Sequence, residues 1–298
     1  MLSGLGAEHS ALSNKELALF DKNTIKNFYL NLPLYEVVEK FQKMELKFID
    51  ADSIIPFSAK LRDYQGAVDK EGSIWLVKKI IPGKEYRISM SELAYFIDLY
   101  LGTLSAPTIF TKINKQPYLA TKLVHSANQL GGYNYLEKPF LEVLANDLIN
   151  RWLFYDEDRN PNNYLVFEDS FKKKIVVAID YDHIDLASSK LKIEAIPEKF
   201  GWRRQGKNRF LSLLNPEHFE QMNYSVFEAR LKKIKKLNYT FVYQLALSLF
   251  SKQVAQKNEK QKKAGVVKNE KLAHKIATIL TARSKYIYEY FVKIFPEK

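Results

Sequence analysis

Residues 154–166 read FYDEDRNPNNYLV, and within them Asp158 and Asn163 stand five positions apart. Asp180 follows after the apolar run VVAI. Two carboxylates and an amide are the donors that Mg²⁺ prefers, a cation that usually shares its coordination shell with water and substrate phosphates. A second set lies upstream: Lys78 ends the run IWLVK, and Glu92 follows Ser91 in SELAYFIDLYLG. Taken singly, each residue has a plainer reading. Asp, Asn and Pro favour turns for local reasons, a lysine at a strand end is usually solvated, and a glutamate near a helix start is favoured by the helix dipole.

The elements that must position them follow from periodicity. A helix, a polar loop, a strand (NYLVF), a turn and a second strand (KKIVVAIDY) place Asp158, Asn163 and Asp180 together at one end of a hairpin. Upstream, YQGAV and SIWLVKKI flank the turn Asp69-Lys70-Glu71-Gly72 and read as another hairpin. A helix is expected to open at Ser91 and Glu92 and to stop at Gly102. APTIFTKI and PYLATKLV alternate as a strand pair around Asn114-Lys115-Gln116, and LKFIDADSIIPF is expected to begin the strand-rich region. Residues 135–154 form a long amphipathic helix, and the chain after 205 is mostly helical, with Gly265 as an expected break. The resulting fold class is α+β. An N-terminal helical extension (1–45), interrupted by Pro33, precedes a small strand-rich lobe with one helix (46–125). A larger helical lobe (126–298) completes it. Alternation along the strand leaves Lys78 and Lys79 as competitors for the inward-facing lysine.

The chain has 298 residues, 46% of them hydrophobic, enough for a substantial core. It has no cysteine, which excludes disulfides and thiolate chemistry, and its five histidines lack metal-ligand spacing. No apolar run reaches the ~20 residues of a membrane span, and the N-terminus does not read as a general secretory signal. The expected location is the cytoplasm, or a host cell reached through a specialised secretion system, peripheral to membranes.

The order of these elements and residues resembles atypical kinases of the HipA and phosphatidylinositol 3/4-kinase type. Their catalytic loop reads D-R-H-x-x-N and is followed by I-D-F-G; here the sequence reads DRNPNN and AIDYDH. The resemblance implies a two-lobed kinase-like fold that uses ATP and Mg²⁺. Asp158 would be the catalytic aspartate acting on the acceptor hydroxyl, while Asn163 and Asp180 would hold metal. Lys78 would meet the nucleotide phosphates and Glu92 would position it, while the backbone of Lys122, Leu123 and Val124 would contact adenine. The departures are Asn160 in place of histidine, Asp182 in place of glycine, and no Gly-rich loop. Only Gly66 stands in that region, so the backbone of 58–62 and Arg62 would meet the phosphates instead.

Charge is concentrated at the C-terminal end. Residues 199–298 hold 22 Lys and Arg against 7 Glu and no Asp, whereas residues 1–198 hold 24 against 27 acidic residues. Such a field attracts phosphate-rich partners. The expected anion site draws on Arg203, Arg204, Lys207, Arg209, Lys232, Lys233, Lys235 and Lys236, and its ligand would be an inositol polyphosphate or a phosphoinositide membrane surface. Secreted bacterial effector kinases of the Legionella type, which this pattern resembles, respond to host inositol phosphates. The acceptor reads as a protein Ser or Thr, with autophosphorylation, or alternatively a lipid. AMP transfer stays open, as does a pseudokinase. Binding of nucleic acid without catalysis is a weaker alternative: Trp202, Phe210 and Tyr224 interleave the basic strips, but this reading leaves Lys78, Asp158 and Asp180 without a role.

Overall fold

The computed structural model describes residues 12, 14–50, 52, 54–61, 63–80, 85–156, 160–191, 216–219, 222–251 and 259–296. Three helices open the chain: α1 (Asn14–Leu17), α2 (Lys22–Asn27) and α3 (Leu34–Gln42). Pro33 breaks the pattern at the N-cap of α3, where the missing N–H costs nothing. Strand β1 (Lys47–Phe48) and a single turn of helix, α4 (Phe57–Lys60), follow. The strand-rich region thus begins within LKFIDADSIIPF, with a strand of two residues.

Strands β2 (Tyr64–Val68) and β3 (Ile74–Lys79) form the expected hairpin, with Tyr64 opposite Lys78. Asp69 holds its turn, accepting from Glu71 N and Ser73 N at 2.9 Å and from Trp75 Nε1 at 3.0 Å. Helix α5 (Glu85–Leu101) begins six residues before the expected start. Pro82 and Gly83 are the nearest breakers, and the intervening residues tolerate helix, so Ser91 and Glu92 lie inside α5. Gly102 ends it at φ +85°, a conformation glycine adopts without strain. Strands β4 (Thr108–Ile113) and β5 (Gln116–Lys122) then complete a five-stranded antiparallel sheet ordered β1-β2-β3-β5-β4. Phe41, Trp75, Tyr95 and Phe96 interlock between this sheet, α3 and α5, with ring centroids 5.1–6.0 Å apart.

The second lobe is built on helices. It contains β6 (Asn128–Gln129), α6 (Lys138–Phe154), the hairpin β7 (Tyr164–Glu168) and β8 (Lys174–Ala178), and then α7 (Tyr224–Lys236), α8 (Tyr239–Ser251) and α9 (Glu259–Ile294). Trp152, Phe227 and Phe291 meet at its centre. Gly265 does not break the chain: α9 runs through it for 36 residues. A helical glycine costs only ~1 kcal/mol relative to alanine, and burial of Ala273, Ile276, Leu280, Ile287 and Phe291 on the same helix outweighs that. No helix among the described residues is long and apolar enough to cross a membrane.

Two joints fix the lobes. Ala106 N donates to Ala178 O (3.0 Å) and Ala178 N to Leu104 O (2.9 Å), so the segment after α5 extends the β7–β8 hairpin. The N-terminal helices bridge both lobes as well: Asp21 accepts from Ser170 N in the β7–β8 turn, Phe28 stacks on Phe167, and Gln42 Nε2 donates to Ser248 Oγ on α8. The architecture is a two-lobed, kinase-like α+β fold.

Candidate active site

A cleft of about 340 Å³ lies between the lobes. Tyr64, Leu76 and Leu119 of the sheet wall one side, and Ser58 and Ala59 of α4 overhang it. Lys122 to Val124 back it, while Asn162, Leu165 and the run Ile179 to Asp182 line the opposite side. The volume is in the range of small-molecule sites, which run from about 300 to 1,000 Å³.

Strand pleating decides between the two lysines. Trp75 and Val77 of β3 are buried, Trp75 against Phe41 of α3, so Leu76 and Lys78 face the other way, and Leu76 lines the cleft. Lys79 shares the face of Trp75 and Val77 at the strand's exposed end. Lys78 Nζ lies 3.4 Å from Asp182 Oδ2 and 5.8 Å from the centroid of Tyr64. Partial burial lowers its basicity, but Asp182, Tyr64 and Asp180 outweigh that and raise its pKa, so the side chain is a cation. Glu92 is fully buried on α5 and is not the partner in this ion pair. Its neighbour Ser91 donates through Oγ to Tyr181 O at 3.3 Å, which ties α5 to the segment that carries Asp180.

The metal-site candidates are set by the end of the hairpin. Tyr164 pairs with Ala178, and Ile179 N donates to Asn163 O at 3.0 Å, so Asn163 and Asp180 leave the sheet side by side. A short turn, Pro161–Asn163, holds Asn163: Asn160 Oδ1 accepts from Asn162 N (2.9 Å), and Asn163 N donates to Asn160 O (2.9 Å). Asp180 has φ +65°, a left-handed conformation that costs an L-residue energy and tends to persist where function requires it. Its Oδ1 accepts from Asp182 N at 3.0 Å. Asn163 and Asp180 are a donor set suited to Mg²⁺. Among the described residues no three acidic or histidine side chains surround one point, so a cation there would complete its shell with water and phosphate oxygens.

Other expected positions fall differently. Asp158, Arg62, Arg203, Arg204, Lys207 and Arg209 lie outside the described residues. Lys122 turns its ammonium away from the cleft toward Asn27 O (3.1 Å) and the Tyr29 hydroxyl (3.4 Å), and burial lowers its pKa. The amides of Lys122 and Leu123 are taken by Pro107 O and Ile74 O. The α7 lysines do not share one face. Lys232, Lys235 and Lys236 are exposed on one side, whereas Lys233 points inward to Glu16 at 3.6 Å and burial lowers its pKa. Helical spacing explains this, because position 233 falls about 100° from 232 and joins the buried stripe of Arg230 and Ile234.

Two features escaped the sequence reading. One is Asp182 as the partner of Lys78; only its place two residues after Asp180 hinted at it. The other is a buried polar hub under the cleft. Asp98 of α5 accepts from Asn150 Nδ2 (2.6 Å), Ser105 Oγ (3.1 Å), the Tyr181 hydroxyl (2.6 Å) and Arg151. Arg151 also faces Asp147 at 3.2 Å and Asp156 at 3.6 Å. Its signal was Asp98 and Asn150-Arg151 interrupting otherwise apolar helices.

What fold and cleft together define is a two-lobed, kinase-like fold with a small-molecule-sized cleft between its lobes. Neither a protein-family model nor a curated protein matches the chain. Among solved structures it is similar to the Helicobacter pylori proinflammatory kinase CtkA, at 12% identity over 76% of this chain and 95% of that one, with a TM-score of 0.43. It is also similar to the pseudokinase domain of BIR2, an immune regulator of the RLK/Pelle family, at 11% identity over 88% and 93%, with a TM-score of 0.25. These likenesses are too distant to transfer a residue's role, and the chemistry rests on the cleft itself.

Proposed function

We propose that the chain is an ATP- and Mg²⁺-dependent phosphotransferase of the HipA and phosphatidylinositol-kinase-like type, acting on protein Ser or Thr hydroxyls, itself included. One observation carries this reading. A charged Lys78, paired with Asp182 of the cleft wall at 3.4 Å, stands at the rim of a small-molecule-sized cleft that is also lined by Asp180, which has a left-handed conformation beside Asn163.

In this reading Lys78 exchanges Asp182 for nucleotide phosphates, while Leu76 and Leu119 pack against the adenine, whose edge meets Val124 and the hinge carbonyls. Bound Mg²⁺ supplies charge neutralisation across the β- and γ-phosphates, and Asn163 and Asp180 are the residues that would hold it. Asp158 orients the acceptor hydroxyl and takes its proton. The exposed lysines 232, 235 and 236, with the basic residues at 203–209, recruit an inositol polyphosphate or phosphoinositide headgroup. Export into a host cell and attachment to a membrane surface fit that ligand and remain part of the proposal.

The test is γ-phosphate transfer from labelled ATP, with and without inositol hexakisphosphate, read in protein bands and lipid extracts for wild type, Lys78→Met and Asp180→Ala. Transfer by wild type and loss in both variants is expected. No transfer from γ- or α-labelled ATP, with no stabilisation by Mg-ATP, sinks the reading.

A further inference from the structure

Asp180 stands at φ +65°, and its own Oδ1 accepts from Asp182 N at 3.0 Å. Further constraints act on the next residue. Tyr181 is buried, its carbonyl accepts from Ser91 Oγ (3.3 Å), and its hydroxyl donates to Asp98 Oδ2 (2.6 Å). Behind Asp98 stands Arg151, whose guanidinium carbon lies 5.4 Å from the Tyr181 ring and which reaches toward Asp156, two residues before Asp158. The hub thus ends at one side beside Asp180 and at the other at Asp156.

A hub of this kind is an expensive way to fill a core, since buried ion pairs often add no net stability over apolar side chains of equal size. Its two ends make sense of it. Desolvation raises the energy of every misplaced contact, so a buried group with its partners in place, as Asp98 has, specifies position more sharply than apolar packing.

We propose that Tyr181 is a positioning residue for phosphoryl transfer: its hydroxyl bond to Asp98, braced by Arg151, holds the Asp180 carboxylate where metal and phosphates are gathered. The proposal rests on the kinase reading above. The Tyr181 hydroxyl is bonded to Asp98 inside the hub and acts through Asp180.

Tyr181→Phe removes one oxygen and keeps the ring. The control is Thr103→Val, which removes a hydroxyl from the far side of the same hub, where it accepts from Asn150 Nδ2 and Arg230, and leaves the side-chain bonds of Tyr181 and Asp98 in place. For each variant the measurements are kcat, KM for ATP, the Mg²⁺ concentration at half-maximal rate, Tm, and the Mg²⁺ dependence of stabilisation by nucleotide. In Tyr181→Phe, kcat falls about 10-fold, equivalent to ~1.4 kcal/mol of lost positioning. Its half-saturating Mg²⁺ rises and its KM for ATP changes less than about twofold, the pattern for an interaction spent on the reacting geometry. Thr103→Val lowers Tm without moving kcat or the Mg²⁺ dependence. Wild-type kcat and Mg²⁺ dependence in Tyr181→Phe overturn the proposal whatever its Tm, as does an equal kinetic loss in Thr103→Val. If Tyr181→Phe does not fold, Ser91→Ala releases the Tyr181 carbonyl instead and must show the same kinetic split. A wild type that binds Mg-nucleotide without transferring phosphate leaves the Mg²⁺ dependence of stabilisation as the deciding readout. Failure of the kinase reading is distinct: wild type then neither transfers phosphate nor is stabilised by Mg-ATP.

Discussion

Asp21 offers the sharpest test of how the N-terminal helices join the two lobes. It caps α2, its Oδ1 accepting from Thr24 N at 2.6 Å, and its Oδ2 accepts from Ser170 N at 2.8 Å across to the β7–β8 turn. Losing an N-cap to alanine costs about 1 kcal/mol, and losing a buried hydrogen bond to a charged acceptor costs a further ~2 kcal/mol. Asp21→Ala is therefore expected to lose about 3 kcal/mol, a fall in Tm of roughly 6 °C at about 2 °C per kcal/mol for a chain this long. Asp21→Asn keeps the cap and loses the second contact, so it should fall between. Hydrogen bonds from the Ser170 side chain, Thr24 N and Ser170 N hold the Asp21 carboxyl well below the usual carboxylate range. A depressed folded-state pKa means that this stabilisation is present above the unfolded value near ~3.9 and disappears as pH falls below it. Thermal melts of wild type and Asp21→Ala from pH 7 to pH 3 should show the gap constant down to about pH 4 and then closing. A gap below about 1 kcal/mol at pH 7, or one unchanged at pH 3, refutes the account of a buried, charge-assisted joint.

Four smaller predictions accompany it. Lys115→Gly in the β4–β5 turn, where Asn114 and Lys115 have φ of 51° and 68°, should raise the urea midpoint by the equivalent of ~0.5 kcal/mol, since Asn-Gly suits a two-residue hairpin turn. Gly102→Ala should cost about 1–2 kcal/mol by the same measure, because its φ is +85° and the new Cβ would sit 3.2 Å from Lys233 Nζ and 3.3 Å from Leu12 Cδ2. Trp75→Phe leaves Asp69 without its indole donor in a buried turn and should lower stability by ~2–3 kcal/mol in chemical denaturation. Asp182→Asn should leave Tm within about 1 °C, because both partners of its pair with Lys78 are nearly half exposed and such pairs contribute little.

Strand pairing was legible because its signals are local. Asp69 to Gly72 and Asn114-Lys115 are turn residues between alternating runs, and Gly102 and Pro33 punctuate helices as their backbone chemistry dictates. The register that sets Lys78 opposite Tyr64, and so faces Lys78 to the cleft, needed the neighbouring strand. The start of α5 was missed because Ser91 and Glu92 imitate a capping pair; Ser91 instead bonds to Tyr181 O, 90 positions away. Gly265 was read as a break because propensity is local, while α9 is held by its packing on other helices. Lys233 was grouped with its neighbours by sequence, whereas helical rotation turns it toward Glu16 in the N-terminal segment. Asn163 and Asp180 could be placed together in advance because a hairpin brings its two ends to the same place. Asp98, Arg151 and Tyr181 could not, since their contacts span 53 and 83 positions.

The two kinds of polar contact around the cleft differ in a way that bears on how the site works. Lys78 and Asp182 are nearly half exposed and 3.4 Å apart, so solvent screens their attraction and the pair contributes at most about 1 kcal/mol. A more highly charged anion would displace Asp182 at little cost. Asp98, Arg151 and Tyr181 are buried to 3% exposure or less, and breaking into such a cluster strands a charge without solvent at a cost of about 3–5 kcal/mol. The proposed phosphotransferase draws on both settings: Lys78 would release one anion to take another, while Asp180, itself exposed, is carried by a segment whose next residue, Tyr181, is anchored in the buried hub.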